Sequence, residues 1–472
     1  VHATSAPGEK TATPLRRILS LCTLDGVAAM PITVLGQSGN SVLAALLTGT
    51  FALSTETYGL ISSLPFWFNF LQVLLTPLLT QRLDARAATI ASAWLGFVAW
   101  LALVVALPFI PVGENPVSRA VFLVGISIIA LSAAVNGVTW NAWVQQCVPV
   151  RLRGKYFGRR NRLLYLSLLT FMLMLSGLLA WFDGSLLAFQ ILFAGALALR
   201  IVSITAEHRM RTPSTGRAAQ NEPHWRDQLR VVWKDVTLVR FIVFASFMGF
   251  AVSLFGPFYP VFMYEELHLT VARANLFLLV GVLGAALAFP AWGRLLDRFG
   301  NIPVMIVALA LWQSSNLLWC LLGPQNLWLL VIIQLAGGLF SAGYGIGLFG
   351  LLLKLTPSGA RTMGMALFVS ISSLAAALGP ITGGYLLGWA HSRGYRAIDA
   401  YHAAFLAMPL LTIPGCFLLR RVAESNSARV TDVVDAMRNV RTVASLFGLT
   451  YLVNQVFYRA AERKARPAPP GA

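Results

Sequence analysis

Charge is what this chain has least of. Of its 472 residues, 11% are Asp, Glu, Lys or Arg and 57% are hydrophobic, whereas a soluble domain carries about 25% charged residues. A soluble fold lacks the interior to hide that much apolar surface, because a folded chain always leaves a large surface in water. A lipid bilayer is the solvent that suits it. Acids are scarcer still, 18 against 36 basic residues, for a formal charge of +18. The Lys and Arg residues stand in short gaps between apolar runs and not on one polar face, which excludes a nucleic-acid binder. Only four cysteines occur, Cys22, Cys147, Cys320 and Cys416. They fall within or at the ends of apolar segments, without the Cys-x-x-Cys spacing of a zinc site, and read as small buried residues. No metal or other cofactor is expected. The six histidines are also dispersed: His2, His208, His224, His268 and His391 lie in tails or loops and His402 near a span start. That scatter excludes an enzyme centre of gathered His, Ser or paired acids.

What the chain does have is long apolar runs. A transmembrane helix needs about 20 such residues, and runs of that kind lie near 19–47, 56–80, 88–111, 119–147, 162–182, 186–206, 238–262, 270–292, 302–322, 327–353, 363–388 and 401–420. The expected fold is an all-α membrane protein of twelve transmembrane helices in two six-helix halves related by pseudo-two-fold symmetry. Residues 1–17 form a disordered cytoplasmic lead, 18–206 the N-terminal half, 207–237 a cytoplasmic linker, 238–422 the C-terminal half, and 423–472 an amphipathic helix with a disordered tail. Counting Lys and Arg on alternate sides puts 24 on the face that holds both termini and four on the other: Arg119, Arg273, Arg393 and Arg396. Cytoplasmic loops retain positive charge, so both termini are expected inside, with the basic run Arg151–Arg162 against anionic lipid headgroups.

Between spans eight and nine the chain reads "WGRLLDRFG" over 292–300, expected as a tight cytoplasmic turn in which glycines let two helix ends approach. The turn after span two, "TQRLDARAA" over 80–88, repeats it weakly through Arg82, Leu83, Asp84 and Arg86, with Thr80 and Ala87 at the glycine positions. The loops "VPVRLRG" and "TPSGART" both hold Pro and Arg four apart, Pro149 with Arg153 and Pro357 with Arg361, 208 residues from one another. Parallel repeats of this kind build the two halves of some transporters.

G-x-L-x-D-R-x-G at 293–300 resembles the loop signature of the major facilitator superfamily, in the position that the family gives it, and the likeness covers 18–422. The resemblance implies gating roles for Gly293, Asp297, Arg298 and Gly300, for Asp84 in the weaker copy, and for Arg153 and Arg361. "GPITGG" at 379–384 is similar to the glycine-proline motif that drug-antiporter members carry in span five, but here it lies in span eleven. There it reads first as a bend and a close-packing strip.

Polar residues at membrane depth face a cavity or another helix. Gln37, Asn40, Asn69, Gln72, Asn136, Trp140, Gln190, Gln313, Asn316, Gln334 and Tyr344 are the candidates for a substrate cavity rich in amides and poor in charge. Interhelical hydrogen bonds are the competing use for each. Arg200 is expected to snorkel to the cytoplasmic interface or to meet an anion. Asp25 is the one clear intramembrane acid, a carrier of H+ or Na+ or a structural partner of Arg160 or Arg200. After Arg421, apolar residues from Val430 to Phe447 recur every three or four positions, an amphipathic helix for the membrane surface or a partner.

The expectation is a monomeric secondary active or facilitative transporter of a small neutral or amphiphilic organic solute in a bacterial inner membrane, with proton-coupled efflux as one form. The alternatives are a sugar-type cation symporter and a non-transporting membrane scaffold or assembly factor.

Overall fold

The computed structural model describes residues 12–71, 84–148, 153–182, 185–210, 225–357, 360–425 and 427–438. The first half comprises α1 (Ala12–Leu35), α2 (Ser41–Ala44, continued as a π-helical turn Ala45–Thr50), α3 (Thr55–Phe70), α4 (Ala85–Ala106), α5 (Pro116–Cys147), α6 (Arg153–Trp181) and α7 (Leu186–Arg209). A short helix α8 (Trp225–Lys234) leads into α9 (Val236–Phe255), α10 (Tyr259–Glu265), α11 (Val271–Phe299), α12 (Asn301–Asn316), α13 (Leu329–Leu355), α14 (Arg361–Ser392) and α15 (Ala397–Arg420). A last helix, α16 (Val430–Arg438), follows. No strand occurs among the described residues. Eleven of their helical segments are long and apolar enough to cross a membrane. α3 stands where span two was expected and is described only to Leu71, so the architecture is that of a twelve-helix membrane bundle in two halves.

Helix starts follow local chemistry. Ser54, Asp84, Asn115, Ser185, Asp235 and Thr270 each accept hydrogen bonds from first-turn N–H groups, the expected use of short polar side chains there. Capping also explains where the expected first span fails. The apolar run 19–47 is not one helix: α1 stops at Leu35 and α2 starts at Ser41. Gly39 takes φ +71° in the gap. Asn40 then bridges the break, accepting from Val42 and Leu43 N–H at 2.8 and 3.1 Å and donating from Nδ2 to Val34 O at 2.8 Å.

Lipid tails are as apolar as leucine, so close packing and not water exclusion joins helices inside a membrane. Glycine supplies it between α11 and α13, where a Cβ on Gly338 would overlap the Gly281 carbonyl and one on Gly284 would lie 2.7 Å from Leu335 O. Gly343 likewise seats the Trp292 ring, whose Nε1 donates to Leu339 O at 2.7 Å.

Candidate functional site

At the end of the bundle that carries the basic loops, the first half encloses a polar cluster drawn from four helices. Asp25 of α1 is 3% exposed. It accepts from Trp140 Nε1 of α5 at 2.9 Å and from Ser203 Oγ of α7 at 2.7 Å. Arg200 donates to Ser203 Oγ at 2.7 Å and stands 3.6 Å from Glu207 Oε1. Arg160 of α6 donates to Cys22 O at 3.3 Å and lies 4.5 Å above the Trp140 ring. It packs onto Gly26, where a Cβ would collide with its guanidinium.

This geometry corrects the expectation for Arg200. Its side chain is 12% exposed and faces a carboxylate that is 1% exposed, so it neither snorkels out nor awaits an anion. Glu207, expected as the first linker residue, lies instead within α7, which runs to Arg209. The available signal was spacing: positions 200, 203 and 207 share one helix face.

The two halves meet at the opposite end, which carries Glu56, Glu114, Glu265, Glu266 and Asp399. Asn275, fully buried in the first turns of α11, accepts from Ser41 Oγ at 3.2 Å and donates to Met172 O and Ser176 Oγ at 3.0 and 2.8 Å. Its amide is thereby spent on two elements of the other half. Tyr58 Oη donates to Pro257 O and Tyr264 Oη to Ser41 O, both at 2.8 Å. Beside these bonds α3 and α14 touch backbone to backbone. A Cβ on Gly59 would overlap Pro380 O, one on Gly384 would lie 2.6 Å from Thr55 O, and one on Gly388 would overlap the Glu56 carboxylate. "GPITGG" is thus a two-sided strip, because Gly379 and Gly383 pack against Ser253 and Leu254 of α9. At the same end Glu114 accepts from Ser54 N–H and Thr57 Oγ1, each at 2.7 Å. Partial burial pushes its carboxyl up, but these bonds outweigh it and leave it below the ordinary carboxylate value.

Most of the amide candidates serve helix packing. Asn40 caps α2; Asn136 donates to Thr89 O at 3.1 Å and Ser92 Oγ at 3.3 Å, and Gln190 donates to Val104 O at 3.5 Å. Trp140 is committed to Asp25, and Gln334 lies on the α11 seam, its carbonyl 3.2 Å from where a Gly281 Cβ would stand. Gln37 is exposed and Asn69 half-buried; Gln72 falls outside the described residues. In the second half Asn316 donates to Gln313 Oε1 at 3.1 Å, while Gln313 Nε2 is buried without a partner. Tyr344 packs among Trp312 and Phe244, ring centroids 6.0 and 6.5 Å away.

The signature at 293–300 is not the loop expected. α11 stays helical through Phe299, and Gly300 alone, at φ +90°, makes the turn into α12. Gly293 is half-buried; Asp297 and Arg298 are exposed on the last helical turn, Arg298 5.0 Å over the Phe299 ring. Gly300 has no side chain with which to cap α12. Glu424, beyond α15, does so, accepting from Asn301 N–H at 3.1 Å, Asn301 Nδ2 at 2.8 Å and Ile302 N–H at 2.8 Å, and from Lys354 Nζ at 3.0 Å. Burial alone would raise the Glu424 carboxyl, yet these donors hold it below the ordinary carboxylate value. Ala428 N–H closes onto Phe299 O at 2.9 Å. Val433 of α16 is then fully buried among Trp292, Leu295 and Phe299, so this part of the amphipathic segment packs on its own chain. In the weaker copy Asp84 caps α4 itself, from Arg86 and Ala87 N–H at 3.3 Å, while Arg86 donates to Met210 O and His208 O at 3.0 and 2.8 Å. Thr80, Arg82 and Leu83 fall outside the described residues. Arg153 and Arg361 each open a helix, with their side chains outside the described set.

A family model described as the Major Facilitator Superfamily matches residues 241–461. The solved structure of the nucleoside transporter NupG, in a mutant form, superposes with a TM-score of 0.67 at 16% identity, covering 86% of this chain and 100% of that one. The second half of the chain is thus similar to the major facilitator superfamily, and the described bundle has the fold of that solved transporter. Among curated relatives it is 28% identical to the multi-drug resistance efflux pump PmrA of Streptococcus pneumoniae over 243 residues, 49% of this chain and 56% of PmrA. It is 29% identical to the multidrug resistance protein MdtG of Salmonella choleraesuis over 241 residues, 49% of this chain and 55% of MdtG. The matched stretch thus spans little more than half the length of these relatives.

Proposed function

We propose that this protein is a secondary transporter that moves a small neutral or amphiphilic organic solute by alternating access, with export in exchange for protons as its working direction. The observation that carries the reading is the seam: every described hydrogen bond between the halves, made by Ser41, Tyr58, Met172, Ser176, Pro257, Tyr264 and Asn275, lies toward the acidic end. Described bonds between the halves gathered at one end fit one of the two states that rocking halves need. The excess of Lys and Arg at the other end supports a cytoplasmic orientation for it, which makes this state inward-facing in a bacterial inner membrane. Gly293, Asp297, Arg298, Gly300 and Asp84 then lie at the cytoplasmic gate, with Arg153 and Arg361 at the helix starts beside it.

Export is favoured by the relatives' names, efflux pump and resistance protein. A neutral or amphiphilic cargo fits the scarcity of charge: Asp25 and Glu207, buried within the first half, are held by Trp140 and Ser203 and by Arg200 respectively. The test is flux in proteoliposomes of a panel of neutral and amphiphilic solutes, read by mass spectrometry with and without an imposed pH gradient. Gradient-dependent movement of panel members out of the compartment facing the basic loops is expected. Accumulation in the opposite sense would favour a cation symporter, and absence of flux across the panel would leave a scaffold.

A further inference from the structure

We infer that the outer groove between the start of α9 and the end of α15 binds an anionic phospholipid, with its phosphate on Arg240 and Arg421 and an acyl chain along Val239, Val243 and Leu418. The inference needs only that the bundle lies in a bilayer, and it is independent of the solute carried.

The two helices spend their inner faces on the core. Phe241, Phe244, Ala245 and Met248 of α9 share one buried cluster with Leu419 and Val422 from the end of α15. Helical periodicity turns the intervening positions outward, and Val236, Val243 and Phe417 are 58%, 50% and 60% exposed. Between these outward faces lies a cavity of about 460 Å³, lined by Val239, Arg240, Val243, Leu418 and Arg421. Its apolar wall belongs to helices long and apolar enough to cross a membrane, so it opens on lipid tails and not on water. Its basic wall lies at the end of the bundle that carries the basic loops.

Charge decides the headgroup. Arg240 Nη1 donates to Arg421 O at 3.3 Å, a bond to a neutral acceptor that draws the two residues together. Neither guanidinium forms an ion pair among the described residues. The acids close to them in sequence are already used. Asp235 accepts from Thr237 and Leu238 N–H, each at 3.0 Å, while Glu424 caps α12 and pairs with Lys354. Two positive charges thus stand over an apolar groove without a counter-charge from the described residues. Guanidinium N–H groups match phosphate oxygens in pairs. A headgroup of net negative charge neutralises the site, whereas one that carries its own ammonium group would bring a further cation to it.

The flanks fit the headgroup level of a bilayer. Trp233, just before α9, is 52% exposed, and Arg420 stands 5.9 Å over the Phe417 ring. Exposed tryptophan, and basic side chains laid back along apolar ones, mark the boundary between lipid and water. A free phosphate would satisfy the arginines but leave Val239, Val243 and Leu418 uncovered, so a ligand with both a phosphate and an acyl chain accounts for the whole groove. The site also stands at the root of the C-terminal segment, since Val422 enters the core directly after Arg421 and Glu424 then ties α12. A bound lipid joins the start of α9 to the end of α15 and fixes the point from which that segment departs.

The test is thermal unfolding of the purified full-length protein in a neutral detergent, titrated with phosphatidylglycerol, with phosphatidylcholine or with glycerol phosphate. A ligand of the folded state raises the melting temperature as its concentration rises. Phosphatidylglycerol is expected to raise it well beyond the effect of phosphatidylcholine, and glycerol phosphate, which lacks acyl chains, to leave it unchanged. In the double variant Arg240→Gln with Arg421→Gln the same rise should need about tenfold more phosphatidylglycerol, whereas Arg240→Lys with Arg421→Lys should keep most of the response. Val243→Trp fills the apolar wall from an exposed position and should weaken the response although both arginines remain. Equal responses in the wild type and the double Gln variant would overturn the proposal by placing the lipid elsewhere, as on the basic run Arg151–Arg162. An undiminished response in Val243→Trp, or an equal effect of glycerol phosphate, would overturn it in favour of a phosphate site that holds no lipid chain. Equal effects of the two lipids on the wild type would reduce the groove to ordinary lipid contact, a result that depends on no variant's folding.

Discussion

Asp84 caps α4 with its own carboxylate, whereas Gly300, at the same place before α12, has none and leaves its helix to Glu424. At Gly300 two constraints coincide: φ is +90°, and a Cβ would stand 3.1 Å from Ser427 and 3.4 Å from Glu424 Oε2. Gly300→Ala is therefore expected to cost about 1–3 kcal/mol through backbone strain and to loosen residues 422–430, read as a lower melting temperature and faster proteolysis there. Glu424 adds a pH dependence with a definite sign. Its carboxyl is held below the ordinary value in the folded protein, so the tie is complete above the ordinary carboxylate range and is lost as pH falls through the lowered value. Proteolytic release of the C-terminal segment should rise on acidification in the wild type and be high and pH-insensitive in Glu424→Gln, a loss of about 1–2 kcal/mol of charge-assisted bonding at a carboxylate whose side chain is buried. Equal protection of both at neutral pH would contradict the capping role. At this scale the sequence made Asp25 and Trp140 legible as polar residues in oil, but not their partners. Glu207 sat one residue past an assumed helix end, and Asn275 is a single amide in an apolar run with nothing local to mark it as a cross-half clamp.

Helices in this bundle are located by hydropathy and joined by glycine, and only the first of these is readable as a simple run. The apolar stretches fell close to the observed helices, from Ala85–Phe109 to Ala397–Arg420. Two places were misread because length and polarity do not report backbone direction: 19–47 is broken at Gly36–Asn40, and 293–299 is helix despite its charges, since Arg and Asp can line a final turn that leaves the membrane. "GPITGG" was legible as a bend or packing strip, but its second face, against α3 of the other half, depends on a partner more than 300 residues away in sequence. That face carries a prediction. Gly384→Val places branched carbon where a Cβ already lies 2.6 Å from Thr55 O, and no flexible side chain is there to yield. The α3–α14 contact should open, so that a cysteine introduced at Ser41 reacts several-fold faster with a membrane-impermeant thiol reagent. An unchanged labelling rate would show that the glycine contact does not hold the seam.

Over the whole molecule the sequence carried the two halves, the basic face and the superfamily signature, because each is a repeated or summed property. It did not carry which end is joined, for that is a property of Ser41, Tyr58 and Asn275 meeting across the halves. The account turns on this seam opening during each cycle. The direct measurement pairs Ser41→Cys with Asn275→Cys, whose native side chains bond at 3.2 Å, after replacing Cys22, Cys147, Cys320 and Cys416 with serine. Flux of a solute identified by the panel is then followed in proteoliposomes before oxidation, after it, and after reduction. Alternating access predicts that the disulfide reduces flux to background and that reduction restores it. Flux that continues undiminished through a fully formed cross-link would contradict the account.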